Sequence, residues 1–155
     1  AKMQKELGDE YIILLRTHYF IADVLDLSEY EGFAYNLSKY DDIARLYLIS
    51  DVLITDYSSV FFDYANLRRP MLFFTYDLEK YRSVLRGFYI DVEEELPGPM
   101  LMTTDEVIGA LQNIEKVVTE YSDKYTAFCD KYCAWEDGTA AKKVVETVFS
   151  DKSNK

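Results

Sequence analysis

The run Leu53-Ile54-Thr55-Asp56-Tyr57-Ser58-Ser59, then an apolar stretch, then Arg68-Arg69-Pro70-Met71-Leu72-Phe73-Phe74, constrains this chain more than any other feature. A short apolar strand ends in hydroxyl residues that open a helix. Pro70 forbids that helix from continuing, and a second apolar strand begins at once. Two strands joined by one helical crossover form a βαβ unit and pair in parallel.

The same alternation runs through the first half of the chain. Residues 11–15 form an apolar run after a Gly-Asp turn and read as a buried parallel strand, with Arg16-Thr17-His18 where it ends. Residues 33–36 read as a second strand, preceded by Gly32. Asp41 and Asp42 place acid at the start of a helix that runs to Ser50, which suits the macrodipole. Residues 52–55 are the third strand. Residues 59–67 form a helix with apolar residues on nearly every face, which predicts burial. Residues 71–74 are the fourth strand and 88–90 the fifth. Consecutive units of this kind predict an α/β fold: a Rossmann-like parallel sheet flanked by helices. Pro97-Gly98-Pro99 reads as a loop. Beyond it the pattern turns helical over 104–113, 114–132 and 139–149, with Asp105 suited to an N-terminal turn. The 155 residues are one domain's worth, residues 1–150, with a polar tail at 151–155. The opening Ala1-Lys2-Met3-Gln4-Lys5-Glu6-Leu7 reads as the last turns of a helix halted at Gly8, as in a piece of a longer protein.

The formal net charge of −11 argues against nucleic acid, whose binding rests on Lys and Arg neutralising phosphates. It argues equally against a polybasic membrane anchor. Cationic contacts to a phosphorylated substrate must therefore be local, with Arg16, Arg45, Arg68, Arg69, Arg82 and Arg86 as the supply. Cys129 and Cys133 lie four apart on a helix, a spacing that fits half-buried structural thiols better than a redox pair. No metal-ligand spacing appears, and no cofactor is called for. No signal peptide or long apolar segment stands in the sequence, which points to a cytoplasmic setting.

In open α/β sheets ligands collect beyond the carboxyl ends of the strands. A helix start there offers unpaired N–H groups and a positive dipole end to an anion. Ser58 and Ser59 add hydroxyl donors and are small enough for a phosphate to come close. Capping by Asp56 or Ser58 is the competing and compatible use. Asp63, one turn beyond Ser59, is either a solvated helix acid or an acceptor for a ribose diol. His18 is either structural or a donor and general acid at the strand edge. Arg86 either reaches a phosphate or pairs with the acids at 93–95. A Ser-His-Asp hydrolase lacks its nucleophile-elbow glycines here.

The segment Ile54-Thr55-Asp56-Tyr57-Ser58-Ser59-Val60-Phe61-Phe62-Asp63 resembles the signature of the CDP-glycerol glycerophosphotransferases, the teichoic acid primases and polymerases. The resemblance continues through Leu15-Arg16-Thr17-His18, Arg69-Pro70, Tyr76-Asp77, Tyr81, Leu85-Arg86-Gly87-Phe88-Tyr89 and Leu96-Pro97-Gly98-Pro99. It implies two facing Rossmann-like domains of the GT-B architecture, of which this chain resembles the C-terminal, donor-binding half with its helical end. It implies that Thr55, Ser58 and Ser59 hold the donor pyrophosphate, that His18 is catalytic with Arg16 nearby, and that Asp63 is near the ribose. Residues 36–39 are then a candidate base-recognition loop. The implied donor is CDP-glycerol or CDP-ribitol. The implied acceptor is a lipid-linked polymer handled by the missing N-terminal half, on the inner face of the membrane. That family uses a further histidine that nothing here replaces, which implies donor binding without efficient catalysis. Another GT-B glycosyltransferase using a sugar nucleotide, and a non-enzymatic α/β interaction module, are the alternatives. A receiver-like module would carry acids where Arg16 and His18 stand.

Overall fold

The computed structural model describes residues 1–17, 25–78 and 90–149. His18, Arg82, Arg86, Tyr81, most of the strand expected at 88–90, and the tail at 151–155 lie outside the described residues. After a helix α1 (Lys2–Leu7), β1 (Ile13–Leu15) pairs in parallel with β2 (Ala34–Asn36), Leu15 opposite Asn36. Gly32 precedes β2 at φ 82, a left-handed turn that a side chain would strain. Helix α2 (Ile43–Ile49) starts on Asp42, whose carboxylate accepts the Ala44 N–H at 3.0 Å. A second ladder runs β3 (Leu53–Thr55), β4 (Met71–Phe74) and β5 (Met100–Leu101), again all parallel.

The β3–β4 crossover is helix α3 (Val60–Tyr64), which tightens into a 3-10 turn over Ala65–Leu67. The helix expected over 59–67 is thus present, with a 3-10 last turn. Its end is enforced by Arg68, which takes left-handed φ 53, ψ 34 as its N–H bonds the Ala65 carbonyl. Arg69 is consumed structurally. Its guanidinium donates to the Leu48 and Ser50 carbonyls at 2.9 and 2.6 Å, satisfying the open end of α2. The Pro70 carbonyl then accepts the Leu53 N–H at 3.0 Å and starts the β3–β4 ladder.

Strand β4 organises the interior. Met71, Leu72 and Phe73 are at most 1% exposed. Alternate side chains point to opposite faces of a strand. Leu72 accordingly packs with Leu7, Phe33, Leu101, Val107 and Leu111, while Met71 and Phe73 pack with Phe61, Tyr64, Phe128 and Cys129. Helices α1 and α5 (Thr104–Gln112) serve the first face, and α3 and α6 (Ile114–Tyr132) the second. Each such buried apolar side chain contributes about 1.5–3 kcal/mol. Helix α5 begins with a full capping box, Thr103 Oγ1 accepting from the Glu106 N–H and the Glu106 carboxylate from the Thr103 N–H. A short helix α4 (Val92–Glu95) is tied to α6 by Glu95, which accepts from Lys131 Nζ and the Tyr132 hydroxyl at 2.5 and 2.6 Å. The last helix, α7 (Ala140–Phe149), buries none of its residues. Cys129 is buried and Cys133 half-buried, both free, and burial pushes the Cys133 thiol up to about 11, which suits packing and not redox work.

Pro97-Gly98-Pro99 is the expected loop, with Pro97 and Gly98 buried. It is the buried lead into β5, the edge strand of the second ladder. Proline is tolerated because it is the Pro99 carbonyl that bonds, accepting the Phe73 N–H at 3.0 Å. A Cβ on Gly98 would stand 1.9 Å from the Met71 carbonyl oxygen. Gly98→Ala should therefore cost at least about 1–3 kcal/mol, the usual range for overpacking, and a melting curve unchanged from the parent would contradict this packing. Alkaline stability gives a second check. Burial raises the Tyr64 phenol to about 12 from 10.0 and raises the Tyr125 phenol as well. A raised folded-state value means the folded chain holds protons that the unfolded chain releases. Stability from both residues is thus full below pH 10, and the Tyr64 part is lost as pH rises through about 12. In urea titrations the midpoint should fall over that interval, and Tyr125→Phe should reduce the slope of the fall.

Candidate functional site

Parallel strands bring their carboxyl ends to one edge. At the end of β3 the chain turns through Asp56, Tyr57, Ser58 and Ser59 into α3. The Asp56 carboxylate accepts the Ser58 N–H at 3.0 Å, a local Asx turn. Ser59 occupies the N-cap position, but no side chain caps α3. The competing use of Asp56 and Ser58 as helix caps is therefore not taken up. The amides of Ser59, Val60 and Phe61 have no backbone acceptor among the described residues, as expected for the first turn of a helix. Ser58 and Ser59 are both exposed, while Thr55 is half-buried in its pairing with Phe73. With only five residues in α3, the individual N–H groups and hydroxyls, more than a long macrodipole, make this turn attractive to an anion.

The turn is also braced from the segment after β4, through a contact that sequence reasoning missed. The Tyr57 hydroxyl donates to Asp77 Oδ1 at 2.9 Å. Burial, and then the Asp77 contact, push the Tyr57 phenol well above its usual range, so it stays a donor at neutral pH.

At the end of β1, Arg16 is exposed and its guanidinium donates to the Tyr40 carbonyl at 2.5 Å. Thr17 donates its N–H to Ser38 Oγ at 3.0 Å, their hydroxyls are also 3.0 Å apart, and the Ser38 N–H bonds Asn36 Oδ1 at 3.1 Å. Arg16 and Thr17 thereby order the segment at 36–40 beyond β2.

Asp63 is exposed on α3 and opens on a groove of about 450 Å³ between α2 and α3, lined also by Ile43, Tyr47, Phe62 and Tyr132. None of the other candidate residues among those described lines that groove. Burial raises the Tyr47 phenol, the Asp63 charge raises it further, and the Arg16 charge opposes them. Arg16 and Asp63 thus both act on the Tyr47 hydroxyl, which is buried without a hydrogen-bond partner among the described residues. The structure brings Thr55, Ser58 and Ser59 into one turn and sets Asp63 one turn on. His18 and Arg86 lie outside the described residues. Among those residues no cluster of His, Cys, Asp and Glu is arranged to hold a metal. No described helix is long and apolar enough to cross a membrane.

The profile of the family described as CDP-Glycerol:Poly(glycerophosphate) glycerophosphotransferase matches residues 1–150. The chain belongs to that family. It is 53% identical over 148 residues to a teichoic acid poly(glycerol phosphate) polymerase of Bacillus subtilis (strain 168), covering 96% of this chain and 20% of that protein. It is 46% identical over 147 residues to a teichoic acid glycerol-phosphate transferase of Staphylococcus aureus (strain NCTC 8325 / PS 47), covering 95% of this chain and 37% of that protein. Among solved structures, the wall teichoic acid polymerase TagF superposes with a TM-score of 0.88 at 48% identity, over 96% of this chain and 36% of that one. A TagF variant soaked with CDPG superposes equally well, with a TM-score of 0.88. The chain thus spans between a fifth and two fifths of the length of these relatives.

Proposed function

We propose that residues 1–150 are the donor-binding domain of a CDP-glycerol-dependent glycerophosphotransferase of teichoic acid synthesis, with residues 151–155 a polar tail. The observation that carries this reading is the match of the family over residues 1–150, joined to an open, uncapped helix start at the carboxyl end of β3.

In this reading the acceptor hydroxyl attacks the glycerol-bearing phosphorus of CDP-glycerol. A new P–O bond forms as the P–O bond to CMP breaks, and the acceptor proton passes to a general base. Negative charge moves onto the leaving phosphate oxygens. The Ser59 and Val60 amides and the hydroxyls of Thr55, Ser58 and Ser59 are fixed donors that meet this charge. Each such oriented donor is typically worth about 3 kcal/mol when removed. His18 as catalytic group, Arg16 and Arg86 as nearby positive charge, Asp63 on the ribose and residues 36–39 on the base complete the proposal by family resemblance. Acceptor binding, and contact with the inner face of the membrane, belong to the remainder of a longer protein. The acidic surface of this chain, with its net charge of −11, fits that division.

Glycerol is favoured over ribitol as the transferred unit. Relatives named for glycerol phosphate are 46–53% identical to this chain. Those named for ribitol phosphate are 29–39% identical. The test is calorimetric titration of the chain with CDP-glycerol, CDP-ribitol and a UDP-sugar. CDP-glycerol should bind tightest, and preference for the UDP-sugar would overturn the reading. Replacing Ser58 and Ser59 together with Ala should weaken CDP-glycerol binding about tenfold or more, the worth of hydrogen bonds to a charged group. The melting temperature should barely move, since both side chains are exposed. Unchanged affinity in that double variant would remove the turn from the site.

A further inference from the structure

The Tyr57–Asp77 hydrogen bond has a geometry beyond simple cohesion. Thr55 pairs with Phe73 at the end of the β3–β4 ladder, and Tyr57 and Thr75 each follow two residues later in the chain. Thr75 is 2% exposed. Its N–H bonds the Leu101 carbonyl at 2.8 Å, its hydroxyl donates to Met102 Sδ at 3.4 Å, and its carbonyl accepts the Leu78 N–H at 3.1 Å. Asp77 therefore sits in a closed turn fixed to the buried end of β4. From that platform its carboxylate accepts the Tyr57 hydroxyl at 2.9 Å. On the other side of Tyr57, the Asp56–Ser58 bond shapes the turn only locally. Tyr57 turned toward β4 leaves its neighbours Ser58 and Ser59 facing solvent.

From this arrangement we infer that Asp77 is a positioning residue. Through the Tyr57 hydroxyl it holds the β3–α3 turn in the shape that offers Ser58, Ser59 and the free amides after them to the donor phosphates. The inference rests on the donor-phosphate reading of that turn and adds to it a residue from the turn that follows β4. Asp77 does not itself meet the donor, since a carboxylate repels phosphate. Its effect passes through a neutral phenol.

Two readouts on the 155-residue chain separate positioning from general stability. Backbone ¹⁵N relaxation at Ser58 and Ser59 should give order parameters near about 0.85 in the parent, falling below about 0.6 in Asp77→Ala and in Tyr57→Phe. Amides of Leu72 and Phe73 should be unchanged. Asp77→Asn keeps an acceptor for the phenol and should retain the rigid turn. In parallel, the CDP-glycerol dissociation constant should rise about tenfold in Asp77→Ala and in Tyr57→Phe, with no further rise in the double variant. Order parameters at Ser58 and Ser59 unaltered by both single variants would overturn the inference. So would an Asp77→Asn turn as loose as that of Asp77→Ala. If the parent chain fails to bind CDP-glycerol, the functional reading falls, while the relaxation data still decide whether Asp77 holds the turn.

Discussion

The parallel register between β3 and β4 is the constraint on which the rest of this structure depends. Leu53 opposite Met71 and Thr55 opposite Phe73 fix where each strand ends. Because β4 is buried on both faces, slipping that register by one residue would send Leu72 and Phe73 into the wrong cores. The register is held from outside as well. Pro70 starts it, Arg69 clamps the end of α2 beside it, and Gly98 lets β5 approach the far side of β4. Everything of chemical interest hangs on the carboxyl ends that this register aligns.

Much of the fold was legible because its signals are local. The β4 strand matches its expected bounds, residues 71–74, since an all-apolar run is closed by Pro70 on one side and a turn on the other. The helix over Ile114–Tyr132 is also read correctly from its periodicity. Two features carry tertiary demands that the local pattern does not show. Pro97-Gly98-Pro99 carries turn residues, yet Gly98 is there for a backbone contact with Met71 that no local pattern reveals. The helix after Ser59 ends at Leu67 as expected, but its last turn is 3-10 and Arg68 then goes left-handed, with Arg69 bonding the end of α2. The capping box at Thr103 and Glu106 was available from the Thr-x-x-Glu spacing, and only Asp105 was read there.

The candidate site shows the same split. Thr55, Ser58 and Ser59 are contiguous, so the sequence alone assembles them. Asp77 stood among the residues that carry the family resemblance, but its contact with Tyr57, like the approach of Tyr47, comes only through packing between elements. Arg16 was expected near the phosphates, with positive or hydrogen-bonding character. The structure engages it with the Tyr40 carbonyl, where it orders the segment beyond β2. Arg69, counted among the available cations, is spent on the carbonyls of α2. With Arg69 committed to its own backbone, the acidic chain in the proposed site would meet a diphosphate chiefly with the amide N–H groups and hydroxyls that the β3–α3 turn presents.

The most direct test of that account is to follow individual backbone amides while CDP-glycerol is titrated into the ¹⁵N-labelled chain. The account predicts that the Ser59, Val60 and Phe61 amides move downfield, and further than any others, as phosphate oxygens become their acceptors. Saturable binding that leaves those three resonances in place, and shifts amides along α7 or on the far edge of the strands, would contradict it.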